Sequence, residues 1–438
     1  MNAELPEVHG RCALAFESLR QALAEVIATG AEVGAALAVH VGKQPVVDGV
    51  ARGRASCYDA AVKVTSLEVF VLNFPFKAVF VLAGGVAATP GALSSRVLVK
   101  VTADDGASGW GEATPTPRWT YETTETIVST LRGYLAPAVI GLEAWDFDGV
   151  HRAMERAINP GLTMGSPLAK SAVDVALHDL VARSRGIPVY QLLGRRRRTQ
   201  CDLTWMVTLE TPADAERVVA EGLEAGYDCF DVKIGMHGEA GDLDLVQRVR
   251  RAAGERLVQV DANRGYKLDT AIRQARRFED LGIALFEQPL NGLNLSGFRR
   301  LVAATTTPIG IDETLRSLPD LIEYVRSDAL TVAVAKVQRN GGFWYSRQLC
   351  EIAEAAGLGL SLSGLTETDL GLAAGLHLAA AFDINPLQLN GPQFIETTFL
   401  RERLWKGGGR VILPEGPGLG VEVDEAYVRK HAVAVRMP

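Results

Sequence analysis

The sequence predicts an α/β protein, a modified TIM barrel of (β/α)7β type preceded by an α+β capping domain, on three observations. From about Arg195 onward, a short β-branched apolar run, a polar residue at its end and an amphipathic stretch closing near a glycine recur in turn. Eight such strand-like runs follow one another: CDLTWMVTL, CFDVKIG, LVQVDAN, ALFEQPL, PIGIDET, LTVAVAKVQ, LGLSLSG and PLQLNGP. Lys233, Asp261, Glu287, Asp312 and Lys336 then mark intervals of 28, 26, 25 and 24 residues, each close to one strand plus one helix. An open doubly wound sheet would share the alternation. It usually carries a glycine-rich phosphate loop after its first strand, and this chain has none there.

A barrel takes about 250 residues, so a chain of 438 must hold more than one domain. Residues 1–60 form an N-terminal extension with a helical pattern from Phe16 to Thr29 and then the strand-like AALAVHVGKQPVVDG. This piece resembles the opening helix and strands of serine β-lactamase-like hydrolases. It stops before any Ser-x-x-Lys motif, and none occurs later, so it is expected to be a remnant or an extra packing layer. Residues 61–194 place strands first (VTSLEVFVLNF, SSRVLVKVTADDG, GWGE) and helices later, the order of an α+β domain. Its helix SPLAKSAVDVALHDLVARSRG has apolar residues three and four apart and ends at Gly186 and Pro188. The barrel is expected over 195–394. Residues 395–438 are too few to fold alone and should return to the cap; their GPGLG stretch follows no βαβ unit and reads as a turn.

Composition narrows the function classes. With 47% apolar and 22% charged residues the chain has the balance of an ordinary globular protein. A net charge of -7 argues against a nucleic-acid partner, and the one compact basic run, Arg195 to Arg198, reads as a solvated connector. Cys12, Cys57, Cys201, Cys229 and Cys350 form no Cys-x-x-Cys pair and are expected to be reduced packing residues. No secretory signal opens the chain and no run nears the ~20 apolar residues of a membrane span, which leads to the expectation of a cytoplasmic protein without a membrane partner.

The chemistry is expected at the strand ends. Asp261, Glu287 and Asp312 end three consecutive runs, and barrel strand ends converge on one mouth where active sites sit. A single acid there would more often be a cap or a salt-bridge partner. Three in succession repel one another unless a hard cation joins them, and a few carboxylates with room for water and substrate oxygens suit Mg²⁺ better than a dedicated calcium cage. Lys233 precedes this triplet and Lys336 follows it, on opposite sides of the mouth, an arrangement suited to two proton carriers.

The segments DVK, VDAN, FEQP, GIDET and VAKVQRNGG, with SPLAKSAVDVALHDL before them, resemble the muconate lactonizing enzyme subgroup of the enolase superfamily from about Val62 to the C-terminus. The resemblance implies Mg²⁺, with Mn²⁺ as a substitute, held by Asp261, Glu287 and Asp312. It also implies Lys233 and Lys336 as acid/base residues on either side of the α-carbon of a small carboxylate substrate, working through an enediolate. Asn263 and Glu313 are expected to orient the ligands. The chain departs from the subgroup at Asp231, which stands where a Lys-x-Lys pattern has its first lysine; a carboxylate there should make Lys233 harder to deprotonate. Candidate substrate contacts are Phe74, Phe76 and Trp119 from the cap, Thr366 and Glu367 after the seventh strand, and Gln388 and Asn390 on the eighth. Dipeptide epimerases carry two acids in that last segment, and the amides here suit a neutral, N-blocked or nitrogen-free acid better. The expected function is an isomerase, either a racemase or epimerase or a cycloisomerase, with syn-dehydration of a hydroxy acid or non-catalytic binding as alternatives. A symmetric homo-oligomer is the expected assembly.

Overall fold

A computed structural model describes residues 62–435 apart from 84, 118, 162–164, 293 and 397–398, together with the backbone of three N-terminal strands. The chain divides into two compact units, residues 1–61 and 62–438. In the first, Gly34–Val41 and Gln44–Arg52 pair antiparallel, and Val8–Cys12 adds to the other edge of Gln44–Arg52. The segment read as one strand-like stretch is thus a hairpin; the helical pattern over 16–29 lies outside the described residues.

The second unit opens with three antiparallel strands, Val64–Pro75, Leu93–Ala103 and Ser108–Ala113, in that spatial order. The helix Pro167–Ser184 lies against them and is buried from Pro167 through Ala182. Gly109 and Gly111 make that contact possible: a Cβ on Gly109 would lie 2.2 Å from the Ala176 carbonyl oxygen, and one on Gly111 would meet that of Ala172. The acidic side chains this helix encloses are paired, Asp174 with His151 at 2.7 Å and Asp179 with Arg183 at 2.9 Å.

Eight parallel strands follow: β1 (Trp205–Val207), β2 (Cys229–Lys233), β3 (Leu257–Asp261), β4 (Phe286–Glu287), β5 (Ile309–Ile311), β6 (Val332–Ala335), β7 (Gly359–Ser363) and β8 (Leu387–Gln388). Seven helices connect them, so the barrel is (β/α)7β. Among the described residues the two ends of the ring meet through a parallel bridge between Leu203 and Leu387 and a hydrogen bond from Thr204 Oγ1 to the Leu387 carbonyl, 2.6 Å. One expectation is refined here: CDLTWMVTL is two elements. Gln200–Asp202 pairs antiparallel with Arg410–Ile412, and only Trp205–Val207 enters the barrel.

The C-terminal stretch contacts the cap strands, with Val433 N donating to Val71 O at 2.8 Å and Glu425 pairing with Lys100 at 2.7 Å. In the basic run, Arg196 pairs with Glu415, Arg197 with Glu354 and Arg198 with Asp383. Cys201, Cys229 and Cys350 are free and buried. Among the described residues no helix is long and apolar enough to cross a membrane.

Candidate active site

Strand register sets the first level of the site. Lys233 lies beside Asp261 and Asp261 beside Glu287, so three adjacent strands present their last residues at one height. Asp312 and Lys336 directly follow β5 and β6. In an eight-strand ring β2 and β6 stand opposite each other, which sets Lys233 and Lys336 across the mouth with the acids between them.

Each lysine is held by carboxylates. Lys233 Nζ lies 2.6 Å from Asp261 Oδ2 and 2.8 Å from Asp231 Oδ2. Asp231 and Lys233 are two apart on one strand and therefore share a face. Burial pulls the Lys233 ammonium down, but Asp231, Asp261 and Glu287 outweigh it and hold it well above the usual lysine range. Lys336 Nζ lies 2.8 Å from Asp312 Oδ2, and the Trp119 ring covers it with its centroid 4.0 Å away. Arg339 pairs with the other oxygen of Asp312 and donates to Val334 O at 2.7 Å.

The acids respond to burial and to one another. Burial, with Asp261 and Asp312 nearby, pushes Glu287 well above the usual carboxylate range. Asp312 is pushed up by burial too, yet Lys336 and Arg339 hold it below its ordinary value. Glu313 rises to about 7 through burial and the charges of Asp312 and Asp261. Asn263 joins two of these groups, its Nδ2 donating to Asp261 Oδ2 at 2.8 Å and to Glu313 Oε1 at 3.1 Å. Its backbone N–H donates to Asp261 Oδ1 at 2.8 Å, a geometry that needs its left-handed φ of 41°.

Five enclosed carboxylates (Asp231, Asp261, Glu287, Asp312, Glu313) thus face three enclosed cations (Lys233, Lys336, Arg339) and the exposed Arg264, which reaches Glu313 at 3.7 Å, leaving one negative charge uncompensated when all are ionised. Glu287 Oε1 is buried without a hydrogen-bond partner among the described residues. As they stand, no three His, Cys, Asp or Glu side chains among the described residues are gathered tightly enough to hold an ion. The oxygens of Asp261 and Asp312 are turned to Lys233, Lys336 and Arg339 instead. The charge excess and the open Glu287 oxygen fit one divalent cation.

A cavity of about 510 Å³ opens over this floor, between the cap loops and the barrel mouth. Phe76, Trp119, Asn263, Thr366 and Asn390 line it, as do Lys233, Asp261 and Lys336. Three expected contacts do not. Phe74 is buried in the core against Phe399, on the strand face it shares with Leu72, whereas Phe76 lies beyond the end of Val64–Pro75 and lines the cavity. Gln388 is buried and turned inward, its Nε2 on Glu287 Oε2. Glu367 folds back to accept the Leu365 N–H at 2.7 Å, and burial raises its carboxyl to about 7.

Several contributors carried no sequence signal that singled them out. Gln288 Oε1 accepts the Asp312 N–H at 2.9 Å and Asn340 Oδ1 that of Lys336 at 2.8 Å, fixing both strand ends; each lies within a motif segment, FEQP or VAKVQRNGG, which is the signal that could have found it. Arg96 is fully buried and binds both cavity walls, donating to Ser94 Oγ at 2.6 Å and Ser95 O at 2.8 Å in the cap and to Thr366 O at 2.6 Å after β7. Its partner Glu112, 3.4 Å away, accepts the N–H groups of Thr368 and Gly371, each at 3.0 Å.

Known proteins share this architecture. Residues 212–427 match the family described as enolase C-terminal domain-like, and residues 80–194 match the mandelate racemase / muconate lactonizing enzyme N-terminal domain. Muconate cycloisomerase 1 of Rhodococcus opacus is 32% identical over 378 residues, spanning 84% of this chain and 98% of that protein. The L-Ala-D/L-Glu epimerase of Bacillus subtilis (strain 168) is 30% identical over 332 residues, 75% of this chain and 89% of the epimerase. The crystal structure of N-succinyl Arg/Lys racemase from Bacillus cereus ATCC 14579 superposes with a TM-score of 0.78 at 27% identity, covering 85% of this chain and all 100% of that one.

Proposed function

This chain belongs to the mandelate racemase / muconate lactonizing enzyme family of the enolase superfamily, and from that premise we propose that it is a Mg²⁺-dependent isomerase acting at the α-carbon of a small carboxylate. Racemisation, epimerisation and cycloisomerisation all lie within this reading, and the relatives named above include a cycloisomerase, an epimerase and a racemase. The observation that carries it is the pair of enclosed lysines on opposite strands, with three carboxylates between them, beneath a cavity large enough for a metabolite.

An α-proton beside a carboxylate is very weakly acidic, so its removal needs a base held close and compensation for the charge that develops. Asp261, Glu287 and Asp312 would hold Mg²⁺, whose positive charge would offset that developing on the substrate carboxylate. Lys336 Nζ accepts the proton on one face of the α-carbon and Lys233 Nζ delivers one on the other. Trp119 keeps water from Lys336, and Asn263 fixes the orientation of Asp261.

The test is α-deuteration. With Mg²⁺ in D₂O, a pool of N-acyl amino acids and other small carboxylates should acquire deuterium at the α-carbon, read by mass spectrometry, and EDTA should abolish it. Exchange that survives complete metal removal would refute the metal-assisted reading.

A further inference from the structure

Resting on the α-proton reading above, we infer that Gln338 is a positioning residue: it holds Trp119 over Lys336, through the root of the cap segment that carries the indole. Gln338 lies two residues beyond Lys336 and is buried where barrel meets cap. Both ends of its amide bind one cap residue. Oε1 accepts the Thr114 N–H at 2.7 Å, and Nε2 donates to Thr114 Oγ1 at 3.2 Å. Thr114 is itself buried and gives its hydroxyl proton to Glu112 Oε1 at 3.1 Å. It opens the segment Thr114-Pro115-Thr116-Pro117, in which each proline fixes its own φ and restricts the residue before it. Thr116 O then accepts the Trp119 N–H at 2.8 Å, and the indole centroid lies 4.0 Å from Lys336 Nζ. A fixed Thr114 therefore fixes the indole.

The backbone of the lysine is held separately. Asn340 Oδ1 accepts the Lys336 N–H at 2.8 Å, and Ser171 Oγ donates to Val337 O at 3.2 Å. Loss of the Gln338 amide therefore loosens the indole and leaves the turn in place. The effect falls on Lys336 Nζ, which is confined between Asp312 Oδ2 at 2.8 Å and the ring. A base must stay within hydrogen-bond reach of the proton it takes, and a displacement of about 1 Å costs on the order of 10²-fold in rate. Lys233, across the mouth, is held by Asp231 and Asp261 and keeps its place.

A double-mutant cycle tests this on the two enantiomers of an N-acyl amino acid that the unmodified protein exchanges, with Mg²⁺ in D₂O. Gln338→Met keeps the length of the side chain and loses the amide. It should lower kcat by about tenfold for the enantiomer whose proton faces Lys336 and by less than about twofold for the other. In a Trp119→Ala background the same substitution should change neither rate further, because both variants then remove one interaction. Equal slowing of both enantiomers, or a loss that persists without Trp119, would overturn the inference and leave Gln338 a packing residue. A second measurement needs no turnover. With 5-fluorotryptophan at all six tryptophans, the ¹⁹F resonance that Trp119→Phe removes should show the largest change of the six in Gln338→Met, and an unmoved Trp119 resonance would overturn the inference. Should Gln338→Met fail to fold, Thr114→Val removes the 3.2 Å bond, keeps the 2.7 Å one and is read in the same way. If the unmodified protein exchanges no carboxylate, the α-proton reading fails, and the resonance still decides whether Gln338 places Trp119.

Discussion

At residue 231 an acid replaces the lysine that the resemblance to muconate lactonizing enzymes leads one to expect, and its carboxylate lies 2.8 Å from Lys233. Two carboxylates on one ammonium stabilise its charged form, so Lys233 is better suited to giving a proton than to taking one. Removing one of them should redress this. Asp231→Asn removes one of the charges that holds the Lys233 ammonium protonated and is expected to speed α-exchange of the enantiomer whose proton faces Lys233, by roughly tenfold at neutral pH, with the other enantiomer changed less. A variant that slowed both enantiomers equally would assign Asp231 a purely structural part. This effect was legible in the sequence because it depends on a strand alternation of two, the most regular feature of β-structure. The inward turn of Gln388 was not, since a residue at the mouth can face either the cavity or the neighbouring acid, and that choice is made by Glu287, 101 positions away.

Among the elements, the loop after β7 shows how the cap and the barrel come to share one cavity. Thr366 holds a left-handed φ of 60°, unfavourable for a β-branched residue, and Arg96 grips its carbonyl from the cap. Glu112 grips the next turn through Thr368 and Gly371. Arg96→Met would leave Glu112 buried without its cation, at a cost of about 3–5 kcal/mol, and should lower the melting temperature measurably. The double variant Arg96→Met/Glu112→Gln is expected to recover part of that loss; thermal unfolding of the two side by side checks it, and a double variant less stable than Arg96→Met alone would contradict the account. The strand and helix series itself was readable, because intervals of 24 to 28 residues between strand-end charges leave little but a β/α repeat. Arg96 was not readable, because an arginine inside SSRVLVK looks like a solvent-facing strand residue until the cap meets the barrel. The same holds for Gly109 and Gly111, whose need for a bare Cα arises only where Pro167–Ser184 crosses them.

Across the whole molecule, function depends on two sequence-distant halves of residues 62–438 closing on one another. The barrel supplies the charged floor, and the cap supplies Phe76, Phe80 and Trp119 above it. The barrel half could be anticipated from local pattern; the cavity could not, because its walls come from segments more than two hundred residues apart whose meeting no periodicity encodes. The central claim is that two lysines serve opposite faces of one α-carbon. The most direct test follows α-deuteration of each enantiomer of an N-acyl amino acid that the unmodified protein exchanges, separately, in Lys233→Ala and Lys336→Ala with Mg²⁺ present. The account predicts that each variant loses exchange on one enantiomer, by roughly 10²–10⁴-fold, and that the two variants lose opposite ones. If both variants lost exchange on the same enantiomer, or if either exchanged both enantiomers at the unmodified rate, the two-lysine account would be wrong.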